Sequence, residues 1–112
     1  MPVDLDVSLP AAPLPPGVDL AAYRVVQEAL TNTMKHAVGS GAQVTVGHRD
    51  GWLEITVTDT GGVRSPQAAS GNGRGLLGLR ERLAVYGGTL DARRRIGGGY
   101  RIDARLPWRT SA

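Results

Sequence analysis

Cysteine and phenylalanine are both absent from this 112-residue chain, and lysine occurs once, as Lys35. Without cysteine there are no disulfides, no zinc–thiolate sites and no thiol catalysis. Without phenylalanine, and with aromatics at 4%, any core must be built from aliphatic side chains. No apolar run approaches the roughly 18 residues that a membrane span needs, and no segment reads as a secretory signal. Positive charge is not scarce: arginine supplies twelve of the 13 basic residues, and the formal net charge is +3. The arginine skew fits a bias in base composition. The only basic run, Arg93-Arg94-Arg95, has no interleaved aromatics and reads as a solvated hairpin tip, not as a nucleic-acid surface. A polyanionic small molecule suits the charge balance equally well. With 41% hydrophobic residues, the chain has enough for one soluble domain over residues 1–112.

The periodicity divides the chain into strands and helices. Val3, Leu5, Val7 and Leu9 alternate with polar residues, the period of a half-buried strand. Four prolines between Pro10 and Gly17 enforce a loop. Asp19 then caps a helix running to about Ala37, with Tyr23, Val26, Leu30, Met34 and Ala37 on one face and Glu28, Asn32 and Lys35 on the opposite one. Val44 to His48 and Trp52 to Thr58 read as strands joined at Arg49-Asp50-Gly51. Leu53, Ile55 and Val57 share a side that Asp59 joins by parity, and a carboxylate there is costly unless paired. The polar stretch Gly61 to Gly75 has the character of a mobile lid. A second helix carries Leu76, Leu79, Leu83 and Tyr86 on one side and stops at Gly87-Gly88. Strands over Thr89 to Arg93 and Tyr100 to Leu106, turning at Gly97-Gly98-Gly99, close the chain. The economical packing is α+β, a two-layer α/β sandwich with a mixed, mostly antiparallel sheet and its helices on one face.

Three segments carry chemistry. Glu28, Asn32 and Lys35 stand together on the first helix, where a carboxylate and an amide oxygen are hard ligands suited to Mg²⁺ and the lysine can neutralise phosphate. The same stripe also fits an exposed polar face with ordinary intrahelical pairing, and the helix alone does not decide between the two. Asp59-Thr60-Gly61-Gly62 offers a buried acceptor able to select a purine bearing an exocyclic amine, with Gly61 allowing close approach to the ring. It also fits a turn at a strand end. Gly71 to Gly78 opens the second helix, where backbone N–H groups favour phosphate. Gly73 to Gly78 matches G-x-G-x-x-G, but no strand precedes it, so the dinucleotide-fold reading fails.

Taken together, a helical Glu-x₃-Asn-x₂-Lys-His, a strand ending Asp-x-Gly, a lid leading to Gly-x-Gly-Leu-x-Gly and a late Gly-Gly-Gly resemble the ATP-binding catalytic domain (HATPase_c, with the Bergerat fold) of bacterial sensor histidine kinases. The wider superfamily includes gyrase, Hsp90 and MutL. Gln27 to Asn32 and Gly75 to Arg82 are similar to the branch that pairs with NarL-type response regulators. The resemblance implies that Asn32 ligates a Mg²⁺ bridging the ATP phosphates and that Glu28 assists at the metal or acts as a base. Lys35 would touch the phosphates and His36 the ribose or phosphates. Asp59 would accept from the adenine amine, with Gly61 against the base. Gly73, Gly75, Leu76 and Gly78 would line the lid hinge and the phosphate-facing turn, and Gly97 to Gly99 would form a third glycine box. One departure stands out: where the family continues Asp-x-Gly-x-Gly, this chain has Val63, which implies a shifted or stiffer lid hinge.

The resemblance also implies that the phosphoaccepting histidine lies on a separate dimerising helical hairpin. The only histidines here are His36 and His48, and neither resembles an acceptor. The expectation is therefore a monomeric, cytoplasmic piece of a longer kinase, membrane-anchored or not, that binds ATP without phosphorylating itself and acts indirectly on a response regulator. Two rivals share the superfamily: a free-standing anti-sigma factor with serine kinase activity, and a nucleotide sensor with no transferase role.

Overall fold

The computed structural model describes residues 3–38, 41–59, 63–64, 73–95 and 99–108. In chain order the elements are β1 (Val3–Val7), α1 (Val18–His36), β2 (Ala37–Val38), β3 (Ala42–Arg49), β4 (Trp52–Asp59), β5 (Val63–Arg64), α2 (Gly73–Val85), β6 (Thr89–Arg94) and β7 (Tyr100–Pro107). Five strands form one sheet in the order β1-β3-β4-β7-β6, and β2 pairs with β5 in a separate ribbon. Among the described strands only β1 and β3 run parallel; the other pairs are antiparallel. Parallel neighbours need a crossover, and α1 is that crossover.

Strand alternation sets the core. On β4, Leu53, Ile55, Val57 and Asp59 are buried while Trp52, Glu54, Thr56 and Thr58 are partly exposed. Ile102, Ala104 and Leu106 of β7 repeat the pattern. Leu76, Leu79 and Leu83 of α2 cover this face together with α1. Leu53, Ile55, Leu83 and Leu106 are fully enclosed, each a burial that stabilises by about 1.5–3 kcal/mol. The expected two-layer α+β sandwich, with its largely antiparallel sheet and helices on one face, is the observed architecture. Arg49 and Trp52 face each other across a two-residue turn in which Asp50 (φ 55°) and Gly51 (φ 83°) are both left-handed. That is the combination that matches the twist of a hairpin.

Several expectations need correction. The core-facing stripe of α1 is Val18, Ala21, Val25 and Ala29, with Val26 and Leu30 only flanking it. Tyr23 is 61% exposed. Two apolar stripes coexist on this helix, and alanines at 21 and 29 let its backbone approach the sheet more closely than a stripe of large residues would. The helix begins one residue before Asp19: the Gly17 carbonyl accepts from the Ala21 N–H at 2.9 Å, and Asp19 sits in the first turn. β1 is an edge strand whose five residues are all exposed, so it is not half-buried. Val3, Leu5 and Val7 stand beside Ala42, Val44 and Val46 on the helix side of the sheet, but the helices do not reach that far and Leu5 is 66% exposed. α2 starts at Gly73, not Leu76, because burying Leu76, Leu79 and Leu83 outweighs the weak helix propensity of the glycines before them. Tyr86 lies past the end of α2 and is exposed, with its ring against Gly17.

α2 ends in a paired cap. The Gly88 N–H donates to the Leu83 carbonyl at 2.8 Å and the Gly87 N–H to the Ala84 carbonyl at 3.0 Å, the bonding of a Schellman turn. At Gly88 a Cβ would lie 2.5 Å from the Arg105 carbonyl oxygen and 3.2 Å from that of Leu83, so the chain passes too close for any side chain. The uncovered face of the sheet is polar. Asp103 accepts from Thr56 at 3.0 Å and from Arg101 at 2.9 and 3.1 Å, with Arg93 3.9 Å away. Burial pushes the Asp103 carboxyl up, but the hydrogen bonds from Arg101 and Thr56 and the positive charges of Arg101 and Arg93 outweigh it and hold the group below the ordinary carboxylate range. The Arg105 guanidinium lies over the Trp52 ring, 4.5 Å from its centre.

Gly88→Ala is expected to lower stability in urea denaturation by about 1–3 kcal/mol through overpacking. Gly78→Ala, at a helical position where an added Cβ meets no described atom within 4 Å, should leave stability unchanged or raise it by up to about 1 kcal/mol. A folded-state pKa depressed below the unfolded one stabilises above the unfolded value and ceases to do so as pH falls through the folded one. Wild type should therefore exceed Asp103→Asn in stability at neutral pH. The difference should shrink below about pH 4, as denaturation at a series of pH values would show.

Candidate functional site

The register of the sheet decides which sequence segments meet. Asp59, the last residue of β4, stands opposite Ala42, the first of β3. α1 ends at His36, so its C-terminal turns come to the end of the sandwich that holds Asp59. The ribbon reinforces this. Ala37 and Val38, directly after α1, pair with Arg64 and Val63, which follow Asp59 closely in sequence. At the opposite end, Thr89 of β6 faces Arg105 of β7, which in turn faces Glu54 of β4. The chain enters β6 there directly from the cap of α2, and Tyr86 meets Gly17 at the start of α1. α2 therefore runs antiparallel to α1 and begins at the Asp59 end. The turn between β6 and β7 lies at that end as well, since Arg94 faces Tyr100.

Four sequence-distant pieces thus share one end of the molecule: the last turns of α1, the end of β4, the first turn of α2 and the β6–β7 turn. The first contributes Glu28 and Asn32. Val18, Ala21, Val25 and Ala29 recur at helical spacing along the side of α1 that meets the sheet, and the next step on that side is Asn32. Asn32 and Glu28 are both partly buried. Glu28 and Asn32 therefore continue the core-facing side of the helix. Thr31, one position away, is occupied locally, its hydroxyl donating to the Gln27 carbonyl at 2.8 Å. Lys35 and His36 fall in the last turn of α1.

Asp59 is 3% exposed, and no other polar or charged side chain among the described residues is counted with the core. Its burial would be costly without partners. The Tyr100 N–H donates to Oδ1 at 3.1 Å, and Arg95 Nη1 donates to the Asp59 carbonyl at 3.2 Å. The side of β4 facing the helices thus ends in a held carboxylate at the mouth of the space between sheet and helices. Such a group accepts hydrogen bonds and donates none when ionised, which suits a ligand that presents an N–H.

The first turn of α2 holds Gly73, Gly75 and Leu76, and Gly78 follows in the second turn. Leu76 is buried in the apolar core, so its side chain serves packing. Gly78 is different, because no described atom would lie within 4 Å of a Cβ there, and packing does not require glycine. Glycine in a helix costs about 1 kcal/mol relative to alanine, and packing among the described residues does not explain its presence here. Unbonded N–H groups at a helix start attract anions. Gly61 and the glycines at 97 and 98 lie outside the described residues, as does most of the stretch read as a lid. Of that stretch, Val63 and Arg64 form β5 and Gly73 onward forms helix. Val63, the departure from the family pattern, pairs with Val38.

Sequence reasoning missed Tyr100 and Arg95, and it missed the β2–β5 ribbon. Arg95 was part of the run read as a solvated hairpin tip, and its contact with Asp59 depends on the register of a hairpin 36 residues away. Two-residue strands leave no period to detect. The donor set fits Mg²⁺: an amide and a carboxylate, partly buried and one helical turn apart. Among the described residues there is no cluster of three or more His, Cys, Asp or Glu side chains. A Mg²⁺ here would thus draw most of its shell from phosphates and water, as this ion commonly does.

The model of the histidine kinase-, DNA gyrase B- and HSP90-like ATPases matches residues 17–110. The sensor histidine kinase YxjM of Bacillus subtilis (strain 168) is 36% identical over 96% of this chain and 27% of its own length. The nitrate/nitrite sensor protein NarX of Escherichia coli (strain K12) is 33% identical over 90% of this chain and 17% of its own. The chain thus spans no more than 27% of the length of either relative. A crystal structure of full-length ShkA in complex with AMPPNP has the same fold, with a TM-score of 0.74 at 23% identity over 99% of this chain and 26% of that one. With that match running through both helices and every strand from β2 onward, the chain belongs to the histidine kinase-, DNA gyrase B- and HSP90-like ATPase family.

Proposed function

We propose that this chain is the ATP-binding catalytic domain of a sensor histidine kinase, which holds Mg-ATP and delivers the γ-phosphate to a histidine on a separate dimerisation domain. The observation that carries this reading is the gathering of Glu28, Asn32, the buried Asp59 and the glycine-led start of α2 at one end of the sandwich. In this reading Asp59 accepts from the adenine amine, with Gly61 against the ring. Asn32, assisted by Glu28 where that carboxylate is not the base, would offer an oxygen ligand to Mg²⁺, which when bound would neutralise phosphate charge. Lys35 and His36, one turn further along α1, reach the phosphates and ribose. The N–H groups around Gly73, Gly75 and Gly78 face the phosphate chain.

The transfer needs little covalent chemistry from the protein. An imidazole nitrogen of the acceptor bonds to the γ-phosphorus, the bond to the bridging oxygen breaks, and ADP leaves. Glu28 either assists at the metal or, as a base, takes up the imidazole proton. The sequence phrases Gln27 to Asn32 and Gly75 to Arg82 support the narrower reading that the parent kinase signals to a NarL-type response regulator. Among the described residues no helix is long and apolar enough to cross a membrane.

A charge-assisted hydrogen bond at Asp59 contributes about 1.5–3 kcal/mol. Asp59→Ala should therefore weaken binding of an ATP analogue about ten-fold or more in a calorimetric titration with Mg²⁺. Asp59→Asn, which keeps an oxygen for the Tyr100 amide, separates loss of the purine contact from loss of the fold. Unchanged affinity in both variants sinks the adenine assignment. Incubated alone with Mg-ATP, the 112-residue chain should form no phosphohistidine; added acceptor domain from the parent kinase should become labelled. Stoichiometric self-labelling would contradict the division of labour proposed here.

A further inference from the structure

The ladder between β4 and β7 ends at Thr58 opposite Arg101. Asp59 stands one residue beyond it, where regular pairing no longer fixes its peptide plane on that side. Two contacts from the β6–β7 hairpin take over. The Tyr100 N–H, which a continued ladder would direct at backbone, is given to the Asp59 carboxylate at 3.1 Å. The Asp59 carbonyl instead accepts from Arg95 Nη1 at 3.2 Å. Arg95 is well placed for this because its own N–H donates to the Gly99 carbonyl at 3.0 Å, which closes the turn and fixes its backbone. Its neighbour Arg93 is engaged elsewhere, with Asp103 on the uncovered face of the sheet. The three arginines of the run are therefore not equivalent.

We propose that Arg95 is a positioning residue for purine selection: by holding the Asp59 carbonyl it fixes the direction in which the Asp59 carboxylate faces the base. Arg95 itself does not touch the nucleotide. The inference rests on the nucleotide reading above and adds to it a residue, outside every glycine and helix motif, that sets base specificity. The charge on the guanidinium matters, since a charged donor makes a stronger bond to a carbonyl than a neutral one. Lysine, with one flexible ammonium, can replace the charge but not the fixed geometry.

The test compares ATP with the triphosphate of purine riboside, which lacks the exocyclic amine, on wild type, Arg95→Ala and Arg95→Lys, with thermal melts to confirm folding. Arg95→Ala should weaken ATP binding about three- to ten-fold, the size of one partly exposed hydrogen bond, and leave the amine-free nucleotide within about two-fold. Arg95→Lys should recover part of the loss. In an Asp59→Ala background, Arg95→Ala should have no further effect, because the group it orients is gone. Equal losses for both nucleotides would assign Arg95 to the phosphates or to general stability and overturn the inference, as would unchanged ATP affinity in a folded Arg95→Ala. A wild-type chain that binds neither nucleotide would remove the nucleotide reading itself, a different failure from either of these.

Discussion

The Tyr100 amide reaches the Asp59 carboxylate at 3.1 Å, and much of the geometry around it follows from keeping that buried group satisfied. A carboxylate at the end of a central strand, on the side that faces the helices, is tolerated only where donors are supplied locally. One such donor, the Tyr100 N–H, lies 41 residues further along the chain, so β7 must begin level with the end of β4. That register puts Ile102, Ala104 and Leu106 beside Val57, Ile55 and Leu53, and it places the β6–β7 turn next to the site. One polar contact and one apolar ladder are thus the same constraint seen at two positions along a strand pair.

The second requirement is the close approach of α1. Alanine at 21 and 29 brings the helix axis toward the sheet, and the side of the helix so defined ends in Asn32. The antiparallel course of α2 completes the arrangement, because its N-terminus, with the partial positive charge of an unbonded helix start, then lies at the same end. The chemistry is assembled from ends of elements, which leaves the middle of the sandwich free to be entirely aliphatic.

Much of this was legible in the sequence. Alternation on β4 and β7 marked the core, and parity alone put Asp59 inside, because a strand repeats every two residues without drift. The helix was harder. Two apolar stripes coexist on α1, and period does not say which one meets the sheet; the presence of small residues decided, against the side that carries Tyr23 and Leu30. β1 misled for a related reason. Val3, Leu5 and Val7 alternate correctly and face the correct side, but alternation reports which side a residue takes and not whether anything covers it. Arg95 and Tyr100 were invisible because their role is a matter of register between segments far apart in the chain. The two-residue pairing at Val38 and Val63 has too few residues to show a pattern, even though Val63 was noticed as an unusual residue.

The uncovered first strand has a consequence for how the domain loosens. β1 gives no buried side chain to the interior, so its main-chain bonds to β3 can break and reform while the rest stays intact. Opening events should be graded across the sheet, shallow at β1 and deepest at β4, which is shielded by neighbours on both sides. Asp59 belongs to that most protected strand. Fraying at the margin can therefore be frequent without reorienting the carboxylate, and a perturbation pulling on the first strand would spend itself before it reached the end that holds Asp59.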